Sequence, residues 1–289
     1  MLKRVIIAND IVGVGKVALS ASIPIMAVCQ VEQAILPTCL LSRHTGGDHP
    51  PYRQHFSKGL LNFLNDWESA QINFDGFFVG YLDQPSDALP IIDFIEKHKL
   101  PLVLDPIMAD NGKLYASLGL EHLQAMKTLA KKAQLILPNL TEACLLADYP
   151  LLKAPYTPQN IEGLLTALAK LGPQDIVLTG VSFSDNQIGF AYYSETSDQI
   201  SYHMVQHHPH HFYGTGDVVS AIVTAGYMQG ISIHKLLPLS LEFLQQSLVT
   251  TLHLNRELSL GICFEPHLGD LITSFKTLLE TSHDITKTC

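Results

Sequence analysis

What this sequence has little of narrows its chemistry first. Charged residues make up only 16% of the 289-residue chain, and an acidic excess leaves a formal net charge of −9. A nucleic-acid-binding face needs a basic patch, so no nucleic-acid partner is expected. An anionic ligand stays possible, because backbone N–H groups and a metal ion hold phosphate without a basic surface. Long apolar runs are missing too. The stretch that follows Lys3 and Arg4 reaches only Ala8 before Asn9 and Asp10, too short for a signal peptide's apolar region. No segment has the length of a membrane helix, so the expectation is a cytoplasmic protein with no membrane partner. Five cysteines (Cys29, Cys39, Cys144, Cys263 and Cys289) form no C-x-x-C pair and are odd in number, which favours ordinary thiols. Linker-like stretches and internal repeats are absent, and the single tryptophan, Trp67, reads as a packing residue.

What is present is material for a core, with 47% apolar residues. Short β-branched and aliphatic runs alternate with longer segments of helical spacing. Strands are expected at 5–8, 34–41, 76–80, 102–104, 135–137 and 176–178, and helices at 16–28, 56–65, 87–98, 118–132 and 158–171. That alternation predicts an α/β fold, a parallel sheet with helices on both faces. Residues 189–193 and 200–205 read as antiparallel additions to one edge, and the chain beyond Val218 as mostly helical, with an apolar helix at 236–254. A single domain over 1–289 is the simplest organisation. Residues 1–205 carry the strand–helix alternation and the edge strands, and 206–289 the Gly-rich turn and the last helices.

Asp10, Tyr81, Asp105, Asn139 and Thr179 each fall just beyond a predicted strand. Ligands of open parallel sheets bind in the crevice outside the carboxyl ends of the strands, so these side chains are expected to converge there. The most informative motif is Gly214-Thr215-Gly216-Asp217, directly before an apolar helical run. Glycines at a helix start let several N–H groups point outward together, and the helix dipole adds partial positive charge. That setting suits charge developing on a transferring phosphoryl group, and a carboxylate there accepts a proton from an attacking alcohol. Plain helix capping by Asp217 is the bland alternative. Gly13-Val14-Gly15-Lys16 invites a phosphate-loop reading, but Asp10 stands where that pattern needs Gly and Val17 where it needs Ser or Thr. A Gly-rich turn after the first strand is the better description.

Taken together, these segments resemble the vitamin B6 (pyridoxal) kinases of the ribokinase-like superfamily, in the right order and over nearly the whole chain. Asn9-Asp10-Ile11-Val12-Gly13-Val14-Gly15-Lys16 is similar to the opening turn of a bacterial branch. Leu41-Ser42-Arg43-His44-Thr45-Gly46 and Gly80-Tyr81-Leu82 resemble the segments around the pyridine ring, and these two narrow the likeness to B6 kinases. Asp105-Pro106-Ile107-Met108-Ala109-Asp110 resembles the family's Asp-Pro-Val-Met-Gly-Asp. Pro138-Asn139-Leu140-Thr141-Glu142 and Gly214–Asp217 match elements shared across ribokinase-like enzymes.

The resemblance implies a ribokinase-like fold with a central, mostly parallel sheet and a small antiparallel edge. It implies ATP-dependent phosphorylation of the 5′-hydroxymethyl group of pyridoxal, pyridoxine or pyridoxamine. Asp217 would be the catalytic base, with Gly214, Thr215 and Gly216 donating N–H groups to the phosphate. Asp10, Thr45 and Tyr81 would bind the pyridine. Asp105, Asn139, Glu142 and Thr179 would sit around ATP, and Asp110 and Glu142 would hold Mg²⁺, with K⁺ a further candidate ion. A homodimer is expected on the same ground. His203, His207, His208, His210 and His211 match no standard metal spacing and read as a loop near the nucleotide. Three positions depart from the pattern: Asp10 where many relatives have Ser, Ala109 for Gly, and Leu137 where some have Thr. The rival readings are a hydroxymethylpyrimidine kinase, many of which have Cys in place of Asp217, a sugar kinase, and a non-catalytic binding relative.

Overall fold

The computed structural model describes residues 2–46 and 49–286. Along the chain run β1 (Lys3–Val12), α1 (Ala18–Val28), β2 (Val31–Leu41), β3 (Arg53–His55), α2 (Ser57–Ser69), β4 (Gly76–Val79), α3 (Ala88–His98) and β5 (Leu102–Leu104). Then come β6 (Ala109–Asp110), β7 (Lys113–Leu114), α4 (Leu120–Ala130), β8 (Leu135–Ile136), α5 (Leu140–Leu146), α6 (Pro158–Ala169) and β9 (Asp175–Ser184). The last are β10 (Gln187–Ser194), β11 (Gln199–Gln206), α7 (Thr215–Met228), α8 (Ile233–His253) and α9 (Leu268–Thr286).

Nine strands form one sheet in the order β11-β10-β9-β8-β5-β4-β1-β2-β3. The six from β9 to β2 are parallel, while β10 and β11 at one edge and β3 at the other run antiparallel. Wholly buried runs such as Gly-Phe-Phe-Val in β4 and Leu-Val-Leu in β5 belong in a sheet covered on both faces. Because successive side chains alternate, Ile6 and Phe77 face one core with α2 to α6, while Ile7 and Phe78 face the other with α1, α7, α8 and α9. Trp67 packs edge-on against Phe63 and tilted against Phe74 at the margin of the first core.

The chain moves outward from β1 to β2, then returns to the other side of β1 as β4. The sheet's topological switch point therefore lies between β1 and β4, where an open parallel sheet leaves a crevice at its carboxyl edge.

Two expectations need correction here. Asp10 and Thr179 do not follow their strands but lie inside them. Neighbours keep both strands extended: β2 accompanies β1 as far as Val12, and β10 accompanies β9 as far as Ser184. Opposite Asp10, β2 carries a bulge, since Asn9 pairs with Pro37 but Ile11 pairs with Leu40. The helix expected from residue 16 starts at Ala18, because the Lys16 N–H is drawn out to the carbonyl of Leu260. The helices at 118–132 and 236–254 are observed as α4 and α8, with shifted ends. Cys29, Cys39, Cys144 and Cys263 are buried free thiols; Cys289 lies outside the described residues. No helix among the described residues is long and apolar enough to cross a membrane.

At the β10–β11 edge, a side chain on Gly189 would place its Cβ 1.9 Å from the backbone oxygen of His203. Neither strand can yield without breaking ladder bonds. Gly189→Ala is expected to cost about 1–3 kcal/mol, as overpacking does, with the loss read as a lower urea midpoint.

Candidate active site

The crevice is built from strand ends locked to one another by side chains. Asn9, fully buried on β1, accepts hydrogen bonds at Oδ1 from the N–H groups of Asp10 (3.0 Å) and Tyr81 (2.9 Å). Gly80 makes this possible, because a Cβ there would sit 2.7 Å from the Asn9 amide. Thr38, in the bulge of β2, donates its hydroxyl to the Tyr81 carbonyl at 2.9 Å. The turn after β4 is thereby held against β1, with the Tyr81 ring under the guanidinium of Arg53 at 6.0 Å.

Further along the edge, α5 begins with a reciprocal cap. Asn139 Oδ1 accepts from the Glu142 N–H and Glu142 Oε2 accepts from the Asn139 N–H, both at 2.9 Å. Glu142 Oε1 also takes the N–H of Met108 at 3.1 Å, and the Asn139 amide donates to the Ala109 carbonyl at 2.8 Å. The cap thus pins the β6–β7 hairpin over the sheet edge. That hairpin turns at Asn111-Gly112, both at positive φ, as a two-residue turn requires. Ala109 sits in it as an ordinary buried strand residue, so losing Gly at this position costs the backbone nothing.

The Gly214–Asp217 turn closes the crevice. Gly214 is the N-cap of α7 at φ +80°, and a Cβ there would meet the Lys16 carbonyl at 2.2 Å. Asp217 is therefore the third helical residue, and its side chain does not cap α7. Its carboxylate instead accepts the backbone N–H of Ala18, a residue turned to φ +51° at the start of α1. In front of Gly216 nothing lies within 4 Å of a would-be Cβ. The requirement for glycine there is open space rather than backbone freedom.

Asp10, Asp105 and Glu142 are buried, and Asp217 is half-buried. Burial pushes Asp10 up to about 7, with the Asp217 charge adding to it and Arg53 opposing it. Asp105 is also pushed up to about 7 by burial, against a 2.5 Å hydrogen bond from the Ser220 hydroxyl. Burial, reinforced by Asp105, carries Glu142 well above the usual carboxylate range. Asp217 is raised by burial as well, and the Ala18 N–H pulls the other way. The phenol of Tyr115 is raised by burial first and then by the charges of Glu142, Asp110, Asp105 and Asp217. The donors to Asp105 and Asp217 are neutral, so they orient these carboxyls without cancelling their charge. Such a site suits a proton acceptor working near neutrality beside an incoming cation and phosphate.

The predicted residues divide accordingly. Asp10, Asp105, Glu142 and Asp217 form one electrostatic group, with Tyr81 beside Asp10 and Thr179 bridged to Asn139 at the head of α5. Gly214, Thr215 and Gly216 front the same group. Asp110 sits at the hairpin, its carboxylate occupied by the N–H and amide of Asn111 at 2.7 and 3.0 Å. Thr45 is exposed, and its neighbours carry its turn: His44 is bonded to the Ser259 carbonyl, and Gly46 accepts the Tyr213 hydroxyl at 2.8 Å. Of the histidines, His203 lies in β11 beside His234, and His208 bonds Gln245 on α8 at 2.9 Å. These two belong to the sheet edge and its covering helix. Asn9, Ser220, Arg53 and Asp83 were not anticipated. Asn111-Gly112 signals the hairpin, but nothing local signals Arg53 or Asp83.

Comparison with known proteins fits this geometry. A family model for phosphomethylpyrimidine kinase matches residues 67–260, from α2 to the segment beyond α8. The chain belongs to that family. Pyridoxal kinase from Lactobacillus plantarum superposes with a TM-score of 0.87 at 30% identity, over 94% of this chain and 98% of its own. A candidate phosphomethylpyrimidine kinase of Bacteroides thetaiotaomicron, in a crystal form with pyridoxal, gives a TM-score of 0.89 at 29% identity, over 94% and 96%. Pyridoxine kinase of Bacillus subtilis is 29% identical over 185 residues, 58% of this chain and 64% of the relative. The chain thus matches somewhat under two thirds of that curated relative's length. The ribokinase-like α/β fold, with its mostly parallel sheet and antiparallel edge, is the one the pyridoxal kinase structure has.

The raised carboxyls give the free protein a defined pH response. Asp10 binds its proton more tightly folded (about 7) than unfolded (3.8), so its contribution is fully present below pH 4 and is lost as pH rises through 7. Urea denaturation at pH 5 and pH 8 is expected to show wild type losing stability toward pH 8. In Asp10→Asn that slope should flatten; an unchanged slope would remove Asp10 as its source.

Proposed function

We propose that this chain, acting as one domain, is an ATP-dependent kinase of B6 vitamers, transferring the γ-phosphoryl group to the 5′-hydroxymethyl of pyridoxal, pyridoxine or pyridoxamine. The observation that carries the reading is the placement of Asp217. It stands free of capping duty one residue past the open space at Gly216, facing carboxyls from β1 and from the end of β5.

In this reading Asp217 accepts the 5′-hydroxyl proton as that oxygen bonds to the γ-phosphorus and the bridge to ADP breaks. The N–H groups of Gly214, Thr215 and Gly216, at the positive end of α7, meet the charge spreading over the phosphoryl oxygens. Asp10, Thr45 and Tyr81 line the pyridine, and Asp105, Asn139, Glu142 and Thr179 border ATP. The donor set fits Mg²⁺: Asp110 and Glu142 offer hard carboxylate oxygens, and their neutral N–H partners leave lone-pair sites over. Among the described residues no three His, Cys, Asp or Glu side chains converge into a metal cage. Mg²⁺ characteristically keeps waters and takes phosphate oxygens. Asp110 and Glu142 would hold it, in part through water, and it would supply charge neutralisation of the phosphates. Buried free thiols fit a reducing compartment, the cytoplasm; the homodimer rests on the resemblance alone. A second reading, hydroxymethylpyrimidine as substrate, draws support from the family's own description.

With Mg-ATP and a panel of the three vitamers, hydroxymethylpyrimidine and ribose, phosphorylation of at least one vitamer is expected. Strong preference for the pyrimidine would move the assignment to the second reading. Asp217→Asn should lower kcat by about 10²–10⁴-fold, the usual effect of removing a general base; near-wild-type turnover would take it out of that role. Gly216→Ala should fold at least as well as wild type, since Ala gains up to about 1 kcal/mol in a helix, while losing turnover. Retained turnover would mean the space before Gly216 receives no phosphoryl group.

A further inference from the structure

An ionic group outside the proposed catalytic set faces the same crevice. Arg53, on the short edge strand β3, pairs with Leu41 of β2 and reaches inward. Its Nη1 donates to Asp83 Oδ1 at 3.1 Å and its Nη2 to the Ser117 hydroxyl at 3.5 Å. The Asp83 side chain is 0% exposed, while that of Arg53 keeps 20% of its surface open. The other Asp83 oxygen is held by His55 and by the Gln84 amide at 3.4 Å. The guanidinium lies 6.0 Å from the centroid of the Tyr81 ring and is the cation that offsets the Asp10 carboxyl.

This arrangement is costly unless something uses it. A carboxylate with no exposed surface is spent on orienting a guanidinium that stays partly open. Arg53 has five N–H donors, and the contacts above engage two of its nitrogens. Asp10 and Arg53 thus set a negative and a positive group around the Tyr81 ring. A 3-hydroxypyridine at neutral pH matches that pair, because its ring nitrogen takes up a proton and its ring hydroxyl gives one up. An aminopyrimidine offers donors for Asp10 but no anion for Arg53.

We propose that Arg53, oriented by Asp83, binds the ionised ring hydroxyl of the substrate and so selects a hydroxypyridine over an aminopyrimidine. The assignment rests on the B6 kinase reading above and deepens it. Arg53 is a specificity-determining residue, since it contacts the ring and not the reacting hydroxymethyl group.

The test compares pyridoxine with 3-deoxypyridoxine, which lacks only the ring hydroxyl, by calorimetric titration of the full-length protein. Wild type is expected to bind the deoxy compound about tenfold or more weakly, the scale of losing one charge-assisted hydrogen bond. In Arg53→Met the two ligands should come within about threefold of each other, through weaker pyridoxine binding alone, and Arg53→Lys should recover part of the difference. KM for pyridoxine should rise in Arg53→Met with kcat less affected, which a merely structural role would not produce. Should Arg53→Met fail to fold because Asp83 is left unpaired, Arg53→Met with Asp83→Asn removes that charge, and a wild-type-sized preference surviving in the folded variant overturns the assignment. Equal binding of the two ligands by wild type overturns the assignment. If wild type phosphorylates pyridoxine yet shows no preference for the hydroxyl, Arg53 alone is misassigned. If it phosphorylates no vitamer, the kinase reading fails and this inference falls with it.

Discussion

Desolvated negative charge is the constraint on which the rest of this molecule turns. Asp10, Asp105 and Glu142 are buried and Asp217 is half-buried, all at one edge of the sheet, and each raises the proton affinity of a neighbour or has its own raised. Left alone, such a group would protonate or pull the crevice open. It is held because three of the four carboxyls are fixed by neutral donors on rigid elements: Asp105 by Ser220 on α7, Asp217 by the Ala18 N–H at the head of α1, and Glu142 by the amides of residues 108, 109 and 139, while Arg53 opposes the charge of Asp10. Neutral donors orient a carboxylate without using up its charge. The crevice therefore keeps its field for what enters it, at a cost in stability carried by the two apolar cores behind.

The buried strands show why the carboxyls stay put. Alternating side chains on β1 and β4 divide between the two cores, so neither strand can slip by one residue without turning apolar groups outward. Asn9 then ties the end of β1 to the turn after β4, across the point where the strand order reverses. The Asn139–Glu142 cap does the same between β8 and the β6–β7 hairpin. A capping box is ordinarily a local device. Here one arm of it reaches thirty-odd residues back to Met108, so a helix start also positions the hairpin that carries Asp110.

Much of this was legible in the chain itself. The alternation of apolar runs and helical spacing led to the parallel sheet, and Asp105, Asn139 and Tyr81 were placed beyond their strands because Asp-Pro, Pro-Asn and Gly-Tyr end them locally. Asp10 and Thr179 were placed wrongly because what extends their strands is a neighbour, β2 or β10, and not their own sequence. The strand expected at 176–178 in fact runs on to Ser184, with Gly180 at positive φ taken up as a bulge opposite β10. Arg53 and Asp83 were invisible for a different reason. Thirty positions separate them, and each alone looks like surface charge. Their meaning exists only after β3 has folded back along β2.

The contact between Gly214 and the Lys16 carbonyl bears on when the crevice exists at all. Three distant stretches meet there: the Gly-rich turn after β1, the head of α7, and the segment around Gly261, where a Cβ would lie 2.8 Å from that same carbonyl. Lys16 also pairs with Glu265 across 249 positions of chain. On the ribosome the first of these stretches emerges long before its partners are translated. A growing chain can close its early strands and helices, but it has no finished pocket to offer a metabolite until its last quarter has been made.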